Sequence, residues 1–155
     1  MKPYADTNFF TALICGGPHA EAAGELSSRA RNAAAPPFPV TFLGRIETAN
    51  AFEQQVFLTR NGVPGVHSNP ESALVQEAFF LDELQQATVL CPVSLPEADL
   101  EAKSLALAHR HTAKHGFRTY DLMHVASALL LGCDTFWSFD DRAKKLARLE
   151  GLRTN

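Results

Sequence analysis

Apolar residues recur along the chain with two periods, and the stretches that carry them alternate in a regular order. Residues 2–5 predict a short strand that stops at Asp6-Thr7-Asn8, three residue types that favour turns and helix N-caps, before the apolar stretch 9–14. The strand-then-helix step repeats. Residues 40–42 predict a second strand, followed by a helix over 43–58 in which Ile46, Ala49, Phe52, Val56 and Phe57 recur at roughly the 3.6-residue helical period. Further strands are predicted over 87–93 and 134–139, with a terminal one over 151–154. Helices are predicted over 20–35, 71–86, from Pro96 to about His115, 121–131 and 141–149. Gly16-Gly17-Pro18 and the proline cluster at 35–39 break the chain, and the loop 61–70 holds two Gly, two Pro and two Asn. Strands separated by helices predict an α/β fold, a parallel sheet with helices on both faces. There is no internal repeat and no low-complexity tract.

At 155 residues the chain has the size of one domain, and residues 1–155 are expected to fold around one sheet. Hydrophobic residues make up 46% and charged residues 20%, too apolar for a disordered chain. The longest apolar run, 125–131, is interrupted by Ser127 and falls far short of the ~20 residues that span a bilayer, so no membrane association is expected. Met1-Lys2-Pro3-Tyr4 leads straight to Asp6 without the apolar stretch of a secretory signal. Cys15, Cys91 and Cys133 are scattered and odd in number, which argues against a disulfide framework. A reducing cytoplasm is the expected compartment.

Charge changes the picture through its distribution. The net charge of -3 by itself disfavours a nucleic-acid partner, whose phosphates are bound by Lys and Arg. Yet residues 1–101 carry 5 basic and 12 acidic side chains, whereas residues 102–155 carry 9 and 5, so a basic flank can stand beside an acidic site. Charges on solvated helix faces would give the same totals.

Four carboxylates carry the candidate chemistry. Asp6, Asp121 and Asp140 each fall at the start of a predicted helix, Asp6 and Asp140 directly after a strand, and Glu47 lies about one turn into the helix after the second strand. In an open parallel sheet those strand ends lie along one edge, where ligands bind. Gathering such groups is costly: at an effective dielectric near 20, two unit charges ~4 Å apart repel by about 4 kcal/mol. Either raised pKa values or a cation must relieve this, and hard oxygen donors without a thiolate select Mg2+ or Mn2+ over zinc. A metal-bound water beside such acids suits phosphodiester hydrolysis. Taken singly, each Asp is equally well read as an N-cap and Glu47 as a solvated helix residue.

The stretches Tyr4-Ala5-Asp6-Thr7-Asn8-Phe9-Phe10, Thr119-Tyr120-Asp121-Leu122-Met123-His124-Val125-Ala126-Ser127-Ala128 and Trp137-Ser138-Phe139-Asp140-Asp141-Arg142 resemble the three most recognisable motifs of PIN domains. Their order, the spacing of 19 residues between Asp121 and Asp140, and Arg45-Ile46-Glu47-Thr48-Ala49-Asn50-Ala51 in the place of the second motif extend the resemblance over essentially the whole chain. The resemblance implies a three-layer α/β/α sandwich with a central parallel sheet, and a ribonuclease that cleaves single-stranded RNA with Mg2+ or Mn2+, its RNA partner being single-stranded or structured. It assigns the metal-binding and catalytic carboxylates to Asp6, Glu47, Asp121 and Asp140, with the adjacent Asp141 as the alternative fourth ligand; the Ser-x-Asp spacing favours Asp140. Asn8 and Ser138 match the small polar residues that orient the carboxylates or water. Many relatives of this size are VapC-like toxins, which dimerise and are silenced by a cognate antitoxin. The interval from Glu47 to Asp121 is longer than in many of them, and the loop 61–70 within it is a place for RNA specificity or an antitoxin surface.

Other residues fit the scheme less directly. Arg118, His124 and Arg142, with Lys114 and Lys145, are candidate substrate contacts, against simple exposure for the cations and sheet packing for His124. His111 and His115 have the i, i+4 spacing of a zinc pair but no acid between them, and read as solvated. Two rivals remain: a PIN-fold module that binds RNA or protein without cleaving it, and an aspartyl-phosphate protein accepting phosphate on Asp6. The second would usually need an Asp where Asn8 stands.

Overall fold

Strands β1 (Pro3–Ala5), β2 (Phe38–Val40) and β4 (Thr135–Trp137) are buried at every residue, which a strand achieves only when other layers cover both of its faces. A computed structural model, describing residues 1–155, shows how this is done. β1 runs parallel to β4 with Tyr4 opposite Phe136, β4 runs parallel to β5 (Arg153–Thr154), and β2 runs parallel to β3 (Leu90–Pro92). β2 lies beside β1 without a hydrogen-bonded ladder, giving the spatial order β3-β2-β1-β4-β5.

Alternation along the strands divides the interior in two. Tyr4 and Phe136 pack on one face with Leu100, Leu107, Val125 and Leu146, whereas their successors Ala5 and Trp137 pack on the other with Phe9, Phe38, Phe52 and Phe80. The first face is covered by α5 (Glu97–Leu107), α7 (Thr119–Leu130) and α8 (Asp141–Leu149). The second is covered by α1 (Thr7–Cys15), α2 (Ala20–Asn32), α3 (Phe42–Arg60) and α4 (Pro70–Gln86). The result is the expected α/β/α sandwich. No helix is long and apolar enough to cross a membrane.

Several boundaries differ from the sequence expectation for identifiable reasons. The second strand is Phe38–Val40 rather than 40–42, because Thr41 caps α3 by accepting from the Gly44 amide at 3.3 Å. Pro39 in mid-strand costs no ladder bond. Phe38 N donates to Val89 O and Val93 N to Val40 O, so the polar groups of Pro39 face β1, where no ladder forms. Ile46 and Phe57 are exposed instead of buried, since the inward stripe of α3 runs through Leu43, Thr48, Phe52 and Val56. Ala87 is the left-handed C-cap of α4, which delays the third strand to Leu90. The long helix after Pro96 is not continuous: α5 gives way to a π-helical turn, Ala108–Thr112, and a last turn, α6 (Ala113–His115), before Gly116 stops it with φ 68.

Candidate active site

Four acids from four elements reach one cleft. Asp6 leaves the C-terminal end of β1 and caps α1, its Oδ1 accepting from the Phe9 amide at 3.2 Å. Asp140 follows β4 and caps α8, its Oδ1 accepting from the Arg142 amide at 2.8 Å. Asp121 stands in the first turn of α7 and Glu47 in α3, the helix after β2. All four line a single cleft of about 370 Å³ together with Thr7, Asn8, Arg118 and His124. Capping and convergence are thus compatible: the helix termini that hold Asp6 and Asp140 also aim them at the sheet's C-terminal edge.

The side chains are cross-tied. Arg118 donates to Asp121 Oδ2 from its backbone N at 3.0 Å and from Nε at 3.4 Å, and its Nη2 donates to Asp140 Oδ2. Glu47 Oε2 accepts from the Thr7 hydroxyl at 2.9 Å and from His124 Nε2. His124 is buried, and its Nδ1 meets the Tyr4 hydroxyl at 2.8 Å. A chain of polar groups therefore runs from Tyr4 in the core through His124 to Glu47 in the cleft.

Burial pushes the Asp6 carboxyl above its ordinary range, against the opposing pull of His124 and the Ser138 hydroxyl. Burial also disfavours ionised Glu47, but the hydrogen bond and charge of His124, with the Thr7 hydroxyl, outweigh it and hold this carboxyl low. At Asp140 burial is likewise overcome, by the Arg142 amide and the Arg118 guanidinium. The site thus contains one acid inclined to keep its proton and two inclined to lose it.

No three acidic, histidine or cysteine side chains close on one point as a metal site does. Arg118 is bonded to both Asp121 and Asp140, and His124 with Thr7 is bonded to Glu47. The donor chemistry nevertheless fits a hard divalent cation: four carboxylates, no thiolate, and a buried Asp6 whose charge is unfavourable without a cation beside it.

The other predicted residues are placed as follows. Asp141 points outward with its side chain 95% exposed and pairs with Lys144 at 3.1 Å, so Asp140 alone of this pair lines the cleft. Ser138 Oγ accepts from the Asp140 amide at 2.8 Å, anchoring the turn that carries that acid. Asn8 lines the cleft, and Arg142 lies beyond it on an adjoining hollow. Lys114 and Lys145 line neither, and crowd His115 instead. His111 is not solvated but bonded to Glu150 at 2.7 Å. Tyr4 and Thr7 escaped sequence reasoning, although a signal existed: Tyr4 shares a strand face with Asp6, and His124 a helix face with Asp121.

The family model of the PIN domain matches residues 4–149. The chain belongs to the PIN-domain family. Solved structures agree with this PIN domain in fold. VapC20 of Mycobacterium tuberculosis, described as a sarcin-ricin loop cleaving toxin, is 20% identical, with a TM-score of 0.60 over 93% of this chain and 94% of that one. A toxin-antitoxin complex from Klebsiella pneumoniae is 16% identical, with a TM-score of 0.59 over 97% of this chain and 95% of that one. FitAcB from Neisseria gonorrhoeae is 16% identical, with a TM-score of 0.56 over 98% and 95%. No curated protein matches the chain.

Proposed function

We propose that this PIN domain is a divalent-metal-dependent endoribonuclease of single-stranded RNA, acting in the cytoplasm as the toxin of a toxin-antitoxin pair. The observation that carries the reading is the meeting of Asp6, Glu47, Asp121 and Asp140 in one cleft from four separate elements. These four would hold Mg2+ or Mn2+, whose chemistry is to lower the pKa of a bound water and to offset charge on the phosphate. Glu47, held ionised and oriented by Thr7 and His124, would present a charged carboxylate to that cation. Arg118, 57% exposed at its side chain, is the cation within reach of a phosphate oxygen at the cleft mouth.

The toxin assignment is supported by the descriptions of the similar folds, one a sarcin-ricin loop cleaving toxin and one a toxin-antitoxin complex. A cognate antitoxin and a second copy of this chain are the partners proposed with it. Exposed Leu74, Val75 and Phe79 on α4 supply apolar surface for such contacts.

Arg118 occupying oxygens of both Asp121 and Asp140 favours a second reading, a PIN-fold module that binds RNA or protein without hydrolysis. Cleavage of single-stranded RNA with Mn2+, compared between the wild type and Asp6→Asn, separates the two. Loss of cleavage in the variant is expected; equal RNA decay in both would remove the nuclease reading.

A further inference from the structure

Beside the acidic cleft opens a larger hollow of about 830 Å³, and the two share Asn8, Thr11, Gln55, Arg118 and Asp140. One wall of it ends an aromatic column. Phe9, wholly buried, lies nearly parallel to Phe139, with ring centroids 6.3 Å apart and planes at 12°. Phe139 in turn lies parallel to His19, at 4.4 Å and 2°. The column runs outward from the core through half-buried Phe139 to exposed His19.

His19 stands on the turn that Gly16 and Gly17 make possible with φ of 85 and 95, and its side chain makes no capping bond to α2. A histidine on such a turn would ordinarily sample several rotamers. Here one ring face rests on Phe139, which itself lies parallel to buried Phe9. The surrounding groups are polar and uncommitted: Arg142 forms no ion pair, and the amides of Asn8 and Gln55 line the same space.

We propose that the outer face of His19 is a stacking platform for a nucleobase of single-stranded RNA, one nucleotide or so from the phosphate seated in the acidic cleft. The inference deepens the ribonuclease reading and rests on it. Every base presents a π face, so a preorganised aromatic end binds it with little sequence preference and little entropy to lose. Arg142 supplies a cation for the adjoining backbone phosphate, and Asn8 and Gln55 supply amide donors and acceptors for base edges. A flat ring, a free guanidinium and two amides match a nucleotide; an apolar peptide would find few aliphatic side chains in this hollow.

The test uses short single-stranded RNAs in which 2-aminopurine replaces one base at successive positions, mixed with the full chain and Mn2+ in stopped flow so that the fluorescence is read before strands are cut. Stacking should quench the fluorescence at one or two adjacent positions. His19→Ala should abolish that quenching and weaken RNA binding about tenfold, whereas His19→Phe or His19→Trp should restore both. With Mn2+ present, His19→Ala should raise KM by a similar factor and leave kcat within about twofold. Quenching that is absent in the wild type, or that persists unchanged in His19→Ala, overturns the platform. Quenching that depends on His19 in a protein that cuts no RNA with Mn2+ sustains the platform and overturns the nuclease reading, so the two failures are distinct.

Discussion

His124 Nε2, on α7, is hydrogen-bonded to the carboxylate of Glu47, on α3. A carboxylate only accepts, so Nε2 is the donor in this bond, while Nδ1 meets the Tyr4 hydroxyl at 2.8 Å. One buried ring thereby fixes an acid on the far side of the cleft, and His124→Ala removes both of its contacts. The buried Tyr4 hydroxyl would lose its histidine partner and keep only the Thr41 and Ser127 hydroxyls, at a cost of about 1 kcal/mol, readable in urea unfolding. Glu47, freed, would orient less well, and kcat on RNA should fall at least tenfold. A variant as stable and as active as the wild type would show the chain to be incidental.

The pH dependence of stability divides by residue. Glu47 and Asp140 are held low, so the stability they add is complete above the ordinary carboxylate range and drains away as pH falls through their folded-state values. Asp6 is raised and acts in the opposite sense, its contribution falling as pH rises from the ordinary Asp value through its own. Asp6→Asn keeps the α1 cap, since Asn caps as well as Asp. In EDTA the variant should melt above the wild type near neutral pH, and the gap should shrink as pH falls towards about 3.9, the ordinary Asp value. A lower melting temperature at neutral pH would refute the burial argument.

Metal addition should reverse that order. A ligand that binds only the folded state stabilises it by about 2.7 kcal/mol at a hundredfold excess over Kd. Mn2+ should therefore raise the wild-type melting temperature by several degrees, and Asp6→Asn should respond weakly or not at all. Differential scanning calorimetry with and without Mn2+ decides the point, and an equal rise in both proteins would exclude Asp6 from the cation's ligands.

Arg118 competes with any cation for Asp121 and Asp140. Its side chain is largely exposed, so its ion pairs add no more than about 1 kcal/mol to stability. Arg118→Gln should leave the fold intact and tighten Mn2+ binding several-fold in calorimetric titration, while weakening the affinity for RNA. Weaker Mn2+ binding would instead make Arg118 a residue that positions the two acids.

Much of this was legible in the sequence where a single element decides the matter. Asp6 and Asp140 could be placed because each follows an apolar strand and opens a helix, and Asp121 because it stands at a helix start. Glu47 was reachable because it stands about one turn into the helix that follows the second strand. What resisted reading depends on several elements at once. The link from Tyr4 to His124 to Glu47 needs β1, α7 and α3 already packed. Ile46 and Phe57 fit a helical period yet face outward, because the inward side of α3 is set by what α1 and α4 leave open. Pro39 looked like a breaker, and its harmlessness rests on the direction of its neighbours' peptide groups.

The missing ladder between β1 and β2 bears on the chemistry itself. Peptide bonding ties β1 to β4 and β2 to β3, but stops at the line between those pairs. Asp6 and Asp140 stand on one leaf of this bound volume and Glu47 on the other, with ring contacts such as Phe38 against Trp137, 5.5 Å apart, serving as the spine. The gap the acids must span is therefore gauged by aromatic bulk, and trimming a ring in the spine would be felt first as a misfit between the leaves.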